Sequence, residues 1–311
     1  MKILVFADKA AARGGLEIFA ERRAEALRAD GHEVETAREA PADLSAWDRI
    51  EVHKCLDPAA LERFPPEKTV VWVHDHEPVC PRRHAYTPLL RNCSRASGLW
   101  PCLFCAPFCR HPVAALGRVF SLRRRLRAMR RFARVVALSG FMKDRLVASG
   151  IPAAKIEVRP PEIRLPEPSG PLPEGVDLLY VGQLTRGKGV QTLLRAMALA
   201  DARHTLDVVG SGNHERRLRA LARRLGLAGR VRFRGWSDDP RAWMLAARCV
   251  VVPSVWQEPY GLVAAEAVAL GRPVVASDVG GLPEACGGKA ALVPPGDAAA
   301  LARALDAVRG A

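Results

Sequence analysis

The sequence is strongly basic, yet it contains little lysine. It also has fewer acidic than basic residues. Of its 47 basic residues only eight are lysines, which leaves 39 arginines against 33 acidic residues and a formal net charge of +14. An excess of positive charge favours anionic partners such as lipid head groups, nucleic acid or phosphorylated small molecules. The arginines are scattered, however, and no nucleic-acid recognition motif or platform of stacking aromatics accompanies them.

Long apolar runs are also missing. No uninterrupted apolar stretch approaches the roughly 20 residues of a membrane-spanning helix. The first residues, MKILVFAD, predict a buried strand, and nothing after them resembles a signal-peptide cleavage region. We therefore expect a cytoplasmic protein. Its 311 residues, 49% hydrophobic and 26% charged, suffice for two domains with cores of their own.

The order of predicted elements indicates two α/β domains. The chain begins with a strand, a glycine turn, the amphipathic run LEIFAERRAEALRADG and the strand HEVETA, which is the start of a doubly wound parallel sheet. Six prolines over 160–173 predict a linker at 160–175. The other predicted strands lie at 69–74 and 134–139 before the linker, and at 177–182, 205–210, 230–235, 249–254 and 273–277 after it. Two Rossmann-like domains place a cleft at the carboxyl ends of their strands.

Two glutamates frame a predicted helix in QEPYGLVAAEA, residues 257–267. Glu258 precedes a Pro-Tyr-Gly turn, and Glu266 falls about two turns inside the helix. The unpaired N–H groups of a first helical turn, together with the helix dipole, suit a phosphate or diphosphate. The helical neighbours of Glu266 are apolar, so a buried carboxylate there requires a partner. Two ribose hydroxyls of a nucleotide and an internal arginine are the alternatives.

Two glycine-rich turns follow strands in the same half of the chain. In VGQLTRGKGV the loop carries Arg186 and Lys188, and a lysine at a sharp bend suits a contact with a diphosphate, although a solvated loop lysine is the alternative. In VVGSGNHERRL, Gly210 and Gly212 lie at a strand-to-helix turn, but Glu215 stands where a dinucleotide fingerprint requires a third glycine. This weakens a Rossmann oxidoreductase as an alternative.

Together these elements resemble the retaining GT-B glycosyltransferases of glycosyltransferase family 4 (glycosyl transferases group 1). The resemblance rests on the Glu-x7-Glu spacing, on VGQLTRGKGV, on VVGSGNHERRLRALARRLGL followed by RVRFRGW, and on AVALGRPVVASDVGGLPE. It extends to RGGLEIFAERRAEALRADGHEV and so covers most of the chain. It implies a GT-B fold, in which two Rossmann-like domains face each other across a cleft.

The resemblance also implies roles for individual residues. Glu258 would contact the hydroxyls of the donor sugar, Lys188 would neutralise the departing diphosphate, and Glu266 would bind the ribose. The other residues implied to bind the donor are Gly14 and Gly15 in a loop of the first domain, Gln183, Arg186, Gly210, Gly212, and the diphosphate cradle Pro259, Tyr260, Gly261 and Leu262. His74 or His76, in VHDHEP, falls where the family often has a histidine near the donor sugar; a structural histidine is the alternative.

One departure and two absences bear on the mechanism. Gln183 stands where the family usually has an arginine that helps to hold the diphosphate, and Arg186 is the substitute that the sequence offers. No protein nucleophile is obvious and no DxD metal motif is evident. The resemblance therefore implies a front-face displacement that requires no cofactor for the transfer step.

Five of the eight cysteines fall between residues 80 and 109. Cys102 and Cys105 form a C-x2-C pair, with Cys80, Cys93 and Cys109 around it. We predict a Cys-rich insertion over 80–111 that is stapled by a structural zinc or iron–sulfur centre. Cys80, Cys93, Cys102 and Cys105 are the predicted ligands, with Cys109 as a further candidate. Plain thiols are the alternative.

The segment GRVFSLRRRLRAMRRFARVV predicts a basic amphipathic helix. It has Val119, Leu122, Leu126, Met129 and Ala133 at helical spacing, and eight arginines between 118 and 134 without an acid. Such a helix suits an anionic bilayer surface or a lipid-pyrophosphate acceptor. A helix packed on the sheet, with its basic face in water, is the alternative.

From these observations we expect a hexosyltransferase-like enzyme of class EC 2.4. It would move a sugar from a nucleoside-diphosphate sugar to a glycan or lipid-linked acceptor in cell-surface polysaccharide biosynthesis, with retention. Residues 1–165 would bind the acceptor and residues 170–311 the donor. We expect a location at the inner face of the membrane and no nucleic-acid partner. The alternative function is a basic nucleic-acid-binding protein without transferase activity.

Overall fold

A computed structural model of the chain describes residues 1–8, 15–55, 57–81, 92–93, 102, 112–163, 165, 170–201 and 203–308, with the backbone alone for 15–18 and 112–116. The chain divides into two compact units, Met1–Pro160 and Pro161–Ala311. The division falls where the proline-rich segment begins.

The first unit is a six-stranded parallel sheet with helices on both faces. Its strands are β1 (Lys2–Ala7), β2 (Glu33–Ala37), β3 (Arg49–Lys54), β4 (Thr69–Val73), β5 (Arg134–Ala137) and β6 (Ile156–Val158), in the order β2-β1-β3-β4-β5-β6. Its helices are α1 (Gly15–Ala29), α2 (Pro58–Arg63), α3 (Pro112–Met129) and α4 (Gly140–Ala148). Strand order reverses between β1 and β3, so the loops after these strands diverge to opposite faces.

The second unit repeats this architecture. Its strands are β7 (Leu178–Val181), β8 (Leu206–Val209), β9 (Val231–Gly235), β10 (Cys249–Val252), β11 (Val274–Ser277) and β12 (Ala290–Val293), in the order β12-β11-β10-β7-β8-β9. Its helices are α5 (Val190–Leu199), α6 (Glu215–Arg224), α7 (Pro240–Ala246), α8 (Leu262–Ala269), α9 (Leu282–Cys286) and α10 (Ala298–Ala307). Here the order reverses between β7 and β10.

Burial on both faces explains why short apolar runs predicted most of the strands. Leu178 and Val251 point to one core of the second unit, while Leu179 and Val250 point to the other. Each such side chain contributes about 1.5–3 kcal/mol to folding. The prediction of two doubly wound α/β units is confirmed.

Three strands escaped the sequence analysis: β3, β6 and β12. β6 and β12 have three and four residues, too few for a clear pattern. β3 is different, because Glu51 and His53 are buried on its α1 side and interrupt the hydrophobic pattern. A strand whose buried face is polar lacks the apolar signal that predicts strands.

The predicted basic helix α3 is present, and it packs its apolar side on the sheet, which is the alternative that the sequence left open. Val119, Leu122, Leu126 and Met129 are buried. Ala133 is an exception: the helix ends at Met129, and Ala133 is exposed just before β5. None of the helices in the described part of the chain is both long and apolar enough to span a membrane.

Candidate functional site

Two loops of the second unit lie side by side at the reversal of strand order. β7 and β10 are neighbours there, and open α/β sheets bind ligands at the carboxyl ends of such strands. The loop after β7 contains a 3-10 turn, Arg186–Lys188, and leads into α5, while the loop after β10 leads into α8. The Gly187 carbonyl accepts hydrogen bonds from the N–H groups of Val255 (2.9 Å) and Trp256 (3.2 Å), which joins the two loops.

Glycine is required where these loops touch. Gly189 has a φ of +77°, and a Cβ at this position would lie 1.7 Å from the carbonyl oxygen of Pro253. At Gly187 a Cβ would lie 3.0 Å from the indole ring of Trp256. The glycines of RGKG therefore permit the close approach of the loops, and this approach brings Lys188 to the second loop.

Lys188 and Glu258 form an ion pair across the two loops. Nζ of Lys188 lies 2.8 Å from Oε1 and 3.0 Å from Oε2 of Glu258. Glu258 is only 5% exposed, and its Oε1 also accepts hydrogen bonds from Ser254 Oγ (2.5 Å) and Trp256 Nε1 (2.8 Å). The Lys188 ammonium lies 5.3 Å from the centre of the Trp256 ring, within range of a cation–π contact.

The Glu258 carboxylate stays charged in spite of its burial. Burial raises the pKa of Glu258, but the charge of Lys188 and the hydrogen bonds from Lys188, Ser254 and Trp256 outweigh this effect, so the pKa lies below its ordinary value. Burial, and secondly the charge of Glu258, raise the pKa of Tyr180. The protonated phenol donates to the Gln183 carbonyl at 2.9 Å. An anionic oxygen pair and an ammonium therefore stand together at the ends of β7 and β10.

The turn after β8 packs tightly against the loop after β7. A Cβ at Gly210 would lie 2.0 Å from the Gly182 carbonyl oxygen, and one at Gly212 would lie 2.5 Å from the Leu184 carbonyl oxygen. Leu184 N–H also donates to the Ser211 carbonyl at 2.9 Å. Backbone packing is thus sufficient reason for both glycines, and their predicted contact with a ligand stays a prediction.

The start of α8 is held in place by the turn after β11. The N–H of Gly281 donates to the Glu258 carbonyl at 2.7 Å, and a Cβ at Gly281 would lie 2.7 Å from the Pro259 carbonyl oxygen. Gly261, the N-terminal cap of α8, has a φ of +119°. The helix therefore begins at Leu262, and Pro259 and Tyr260 belong to the turn before it. Burial, and secondly the charge of Glu284, raise the pKa of Tyr260.

Glu266 is the fifth residue of α8, and it is partly exposed. The sequence predicted a buried charge at Glu266, and this prediction is wrong. The residue lies at the edge of the apolar face of α8 and is partly exposed. Ala264, Ala265 and Ala267 are the residues of α8 that are buried. Part of the Glu266 residue is therefore accessible to solvent.

Gln183 and Arg186 are both exposed on the loop after β7. Gln191 Nε2 donates to the Arg186 carbonyl at 2.9 Å, and this bond ties the loop to the first turn of α5. Burial, followed by the charges of Arg217 and Arg186, lowers the pKa of His214 on the neighbouring turn. Arg186 therefore adds positive potential near His214, and it stands two residues before Lys188 in the same 3-10 turn.

The two predicted histidines of the first unit have different surroundings. His74, directly after β4, is partly exposed and its Nε2 lies 3.0 Å from Nδ1 of His53. His76 is buried, and the edge of its ring meets Phe141 with centroids 6.1 Å apart. His76 thus fits the structural alternative, while His74 remains a candidate for ligand contact.

The predicted loop glycines of the first unit are described only in part. Gly14 lies outside the described residues. Gly15 is the first residue of α1, where the backbone alone is described. Their predicted contact with a donor stays a prediction.

The predicted metal centre is not supported. Cys80, Cys93 and Cys102 are partly exposed, and Cys102 packs against the core of the first unit. Cys105 and Cys109 lie outside the described residues. Within the described ranges, no three or more His, Cys, Asp and Glu side chains are grouped so that they could hold a metal ion.

Comparison with known proteins finds a family model that matches the second unit. Residues 175–309 match the family model of Glycosyl transferases group 1. This group 1 segment runs from just before β7 to the end of α10. Over 155 residues the chain is 44% identical to D-inositol 3-phosphate glycosyltransferase 2 of Catenulispora acidiphila, a match that covers 43% of this chain and 36% of that protein.

A second relative is the lipopolysaccharide core biosynthesis glycosyltransferase LpsE of Rhizobium meliloti. It is 38% identical over 134 residues, which cover 42% of this chain and 38% of LpsE. The chain thus spans less than half the length of the curated relatives it matches. The family match and these relatives support a glycosyltransferase, an enzyme of class EC 2.4.

The structural likeness extends over both units. Anabaena HepE in complex with UDP aligns with a TM-score of 0.70 at 21% identity, over 100% of this chain and 90% of that chain. The HepE complex with UDP-glucose aligns with a TM-score of 0.68 at 22% identity, over 99% and 89% of the two chains. At such identities the likeness shows the fold alone, and the predicted GT-B class of fold is confirmed.

The structure also adds polar residues that the sequence analysis missed. Ser254 and Trp256 donate hydrogen bonds to Glu258. His53 contacts His74, and Glu51 lies on the far side of His53. The tryptophan offered a signal, since it stands two residues before a singled-out glutamate. Glu51 and His53 offered none, because their strand was not predicted.

Proposed function

We propose that the chain is a retaining glycosyltransferase that takes a sugar from a nucleoside-diphosphate sugar and transfers it to a glycan or lipid-linked acceptor. The observation that carries this proposal is the Lys188–Glu258 pair at the ends of β7 and β10, beside the start of α8. The second unit would bind the donor and the first unit the acceptor. Synthesis of cell-surface polysaccharide is the setting that the likeness to LpsE supports.

The proposed roles follow from the charges of the site. Lys188 and the N–H groups of Tyr260, Gly261 and Leu262 supply positive potential for the diphosphate. The Glu258 carboxylate accepts hydrogen bonds and suits the hydroxyls of a sugar. Glu266, partly exposed on α8, suits the two ribose hydroxyls. UDP is the first nucleotide to test, since HepE binds UDP and UDP-glucose.

The surroundings of Glu258 favour a front-face displacement. Its carboxylate already accepts hydrogen bonds from Lys188, Ser254 and Trp256, and these lower its basicity and hence its strength as a nucleophile. In the proposed step the acceptor oxygen bonds to the anomeric carbon on the face from which the diphosphate leaves. The acceptor proton passes to the departing phosphate oxygen, whose charge Lys188 and the α8 N–H groups stabilise.

A thermal-shift panel tests the donor site. UDP, GDP, ADP and their sugars are added to the wild type, to Glu266→Ala and to Glu174→Ala, an exposed matched control in the same unit. A ligand at 100 times its Kd stabilises by about 2.7 kcal/mol. We expect one nucleotide to raise the Tm of the wild type and of Glu174→Ala but not of Glu266→Ala. Absence of any shift would contradict the donor site, and an equal shift in Glu266→Ala would contradict its ribose role.

We further propose that α3 binds an anionic membrane surface at the cytoplasmic face. Phe120 is 59% exposed, and Arg123, Arg124 and Arg127 follow it by three, four and seven residues, so they share its side of the helix. All three arginines are exposed, although Arg124 is paired with Glu62. An exposed aromatic ring among arginines is typical of helices that lie on anionic bilayers.

A further inference from the structure

The α1 side of β3 and β4 carries a buried polar cluster outside the ion-pair site. Glu51 and His53 alternate along β3, Trp72 lies on β4, and His74 follows it. Glu51 is 0% exposed and His53 2%. These polar groups occupy positions in the core of the first unit. Burying such groups costs free energy unless they have partners.

Glu51 is fixed as a carboxylate at one end of this cluster. Arg23 of α1 donates to both of its oxygens, from Nε at 2.9 Å and from Nη2 at 3.0 Å, and Arg49 Nη2 lies 2.6 Å from Oε1. Burial raises the pKa of Glu51, but His53, Arg23 and Arg49 outweigh it and lower the pKa. Glu51 is therefore a charged carboxylate whose orientation is fixed by Arg23 and Arg49.

The rings next to it pack against one another. His53 stacks on Trp72 with centroids 5.3 Å apart, it meets His74 edge to edge with centroids 5.2 Å apart and 24° between the ring planes, and the edge of Phe19 meets His74 at 4.6 Å. Arg23 and Arg159 lie over the Trp72 ring at 5.4 and 5.6 Å. These contacts hold both histidine rings in position.

The tautomers follow from the position of Glu51. His53 Nε2 lies 3.6 Å from Glu51 Oε2, and a carboxylate facing that nitrogen favours a proton on it. A neutral His53 with its proton on Nε2 has a lone pair on Nδ1. That lone pair faces His74 Nε2 at 3.0 Å, so His74 must supply the proton of this hydrogen bond. A neutral His74 then has its own lone pair on Nδ1.

Desolvation of the imidazoles keeps both rings neutral, although His74 stays partly exposed. Desolvation lowers the pKa of His53, an effect that Glu51 opposes only in part. Burial, and secondly the charge of His53, hold the pKa of His74 well below its ordinary value. Among the described residues His74 Nδ1 has no hydrogen-bond partner, and His74 lines a pocket together with Lys54, Cys55 and Asp75.

We propose that His53 is a positioning residue which, backed by Glu51, holds His74 in the tautomer with a bare Nδ1. His74 then accepts a hydrogen bond from a hydroxyl and repels the unprotonated oxygens of a phosphate. The ligand assignment rests on the proposed function: the group assigned to His74 is a sugar hydroxyl of the acceptor, which the first unit is proposed to bind. In this proposal Lys188, and not His74, binds the diphosphate.

The tautomers are measured directly by long-range ¹H–¹⁵N correlation NMR of the histidine rings at pH 7.5. Single His→Gln variants at 32, 204 and 214 assign other rings among the eight histidines of the chain. We expect both His53 and His74 as neutral rings protonated on Nε2. A His74 ring protonated on Nδ1, or on both nitrogens, would overturn the proposal. This result needs no ligand, so it is separate from the outcome of the nucleotide panel.

Two variants at one position separate positioning from packing. His53→Asn keeps an acceptor oxygen near the place of Nδ1, whereas His53→Leu fills space without one. We expect His74 to keep its tautomer in the Asn variant and to show mixed tautomers in the Leu variant. Thermal unfolding shows that both variants fold, and equal tautomer populations in the two would contradict positioning by His53.

Kinetics then test the role in transfer. Removal of a residue that orients a metal-bound histidine typically costs about 10- to 100-fold, and we take this as the scale for His53. We expect kcat to fall by about this factor in His53→Leu, with KM for the nucleotide sugar little changed, and to recover largely in His53→Asn. Equal losses in both variants would reduce His53 to a packing role. If no nucleotide sugar binds at all, the proposed function fails while the tautomer assignment stands.

Discussion

Lys188 Nζ lies 2.8 Å from Glu258 Oε1, and this pair joins loops that are seventy residues apart in the chain. The pair holds a charge of each sign beside the start of a helix, and Ser254 and Trp256 fix the carboxylate by further hydrogen bonds. A site that is already organised loses less free energy in ordering its side chains when a ligand binds.

Removal of the lysine should destabilise the fold. Lys188→Ala leaves the buried Glu258 carboxylate with only Ser254 and Trp256, and we expect the free energy of unfolding to fall by about 2–3 kcal/mol. Lys289→Ala, at an exposed position of the same unit, should cost less than about 0.5 kcal/mol. Urea unfolding at pH 7.5 measures both. Equal losses in the two variants would show that the ion pair contributes nothing.

The close approach of the loops predicts a difference between two glycines. Gly189 and Gly226 both have positive φ, +77° and +70°, but an added Cβ meets the Pro253 carbonyl only at Gly189. Gly226→Ala should cost about 1 kcal/mol from backbone strain alone. Gly189→Ala should cost clearly more and should weaken nucleotide binding in the thermal-shift panel. Equal stability of the two variants would mean that the loops separate easily.

Stability should depend on pH through His53 and His74. The pKa values of His53 and His74 are lowered in the folded chain, so below their ordinary value of 6.5 the unfolded chain binds protons that the folded chain does not. The free energy of unfolding should therefore fall between pH 7 and pH 5.5, by at most about 1.4 kcal/mol per pH unit for each histidine, and be flat above pH 7.

Urea unfolding of variants shows which histidines cause this fall in the free energy of unfolding with pH. The double variant His53→Leu, His74→Phe should lose most of the slope between pH 7 and pH 5.5. His214→Gln changes a histidine of the second unit, whose pKa is also lowered, and should leave the larger part intact. A double variant with the wild-type slope would contradict the neutrality of the two histidines.

Membrane association should depend on Phe120. Burying its ring in a bilayer is worth about 1.5–3 kcal/mol, so Phe120→Ser should weaken binding to phosphatidylglycerol-containing vesicles about tenfold or more. Leu199→Ser, at a residue of the second unit that is 61% exposed, is the matched control and should bind as the wild type does. Flotation of the wild type on neutral vesicles as strongly as on anionic ones would contradict the role of the arginines.

The sequence by itself determined the class of fold and most of the strands, because short apolar runs separated by helices are a local pattern and parallel sheets bury such runs on both faces. It also predicted the two loops at which the donor is proposed to bind, since Lys188 and Glu258 each follow a recognisable strand. The glycines that these loops need were equally visible.

Tertiary structure alone decided which of these residues meet. The pairing of Lys188 with Glu258 follows from β7 lying next to β10, an order that no local pattern contains. The partial exposure of Glu266 depends on how α8 rotates against its sheet, which spacing along the chain does not define. Glu51 and His53 came to light only in the folded chain, because a strand with polar residues on its buried side has lost the hydrophobic period by which strands are predicted.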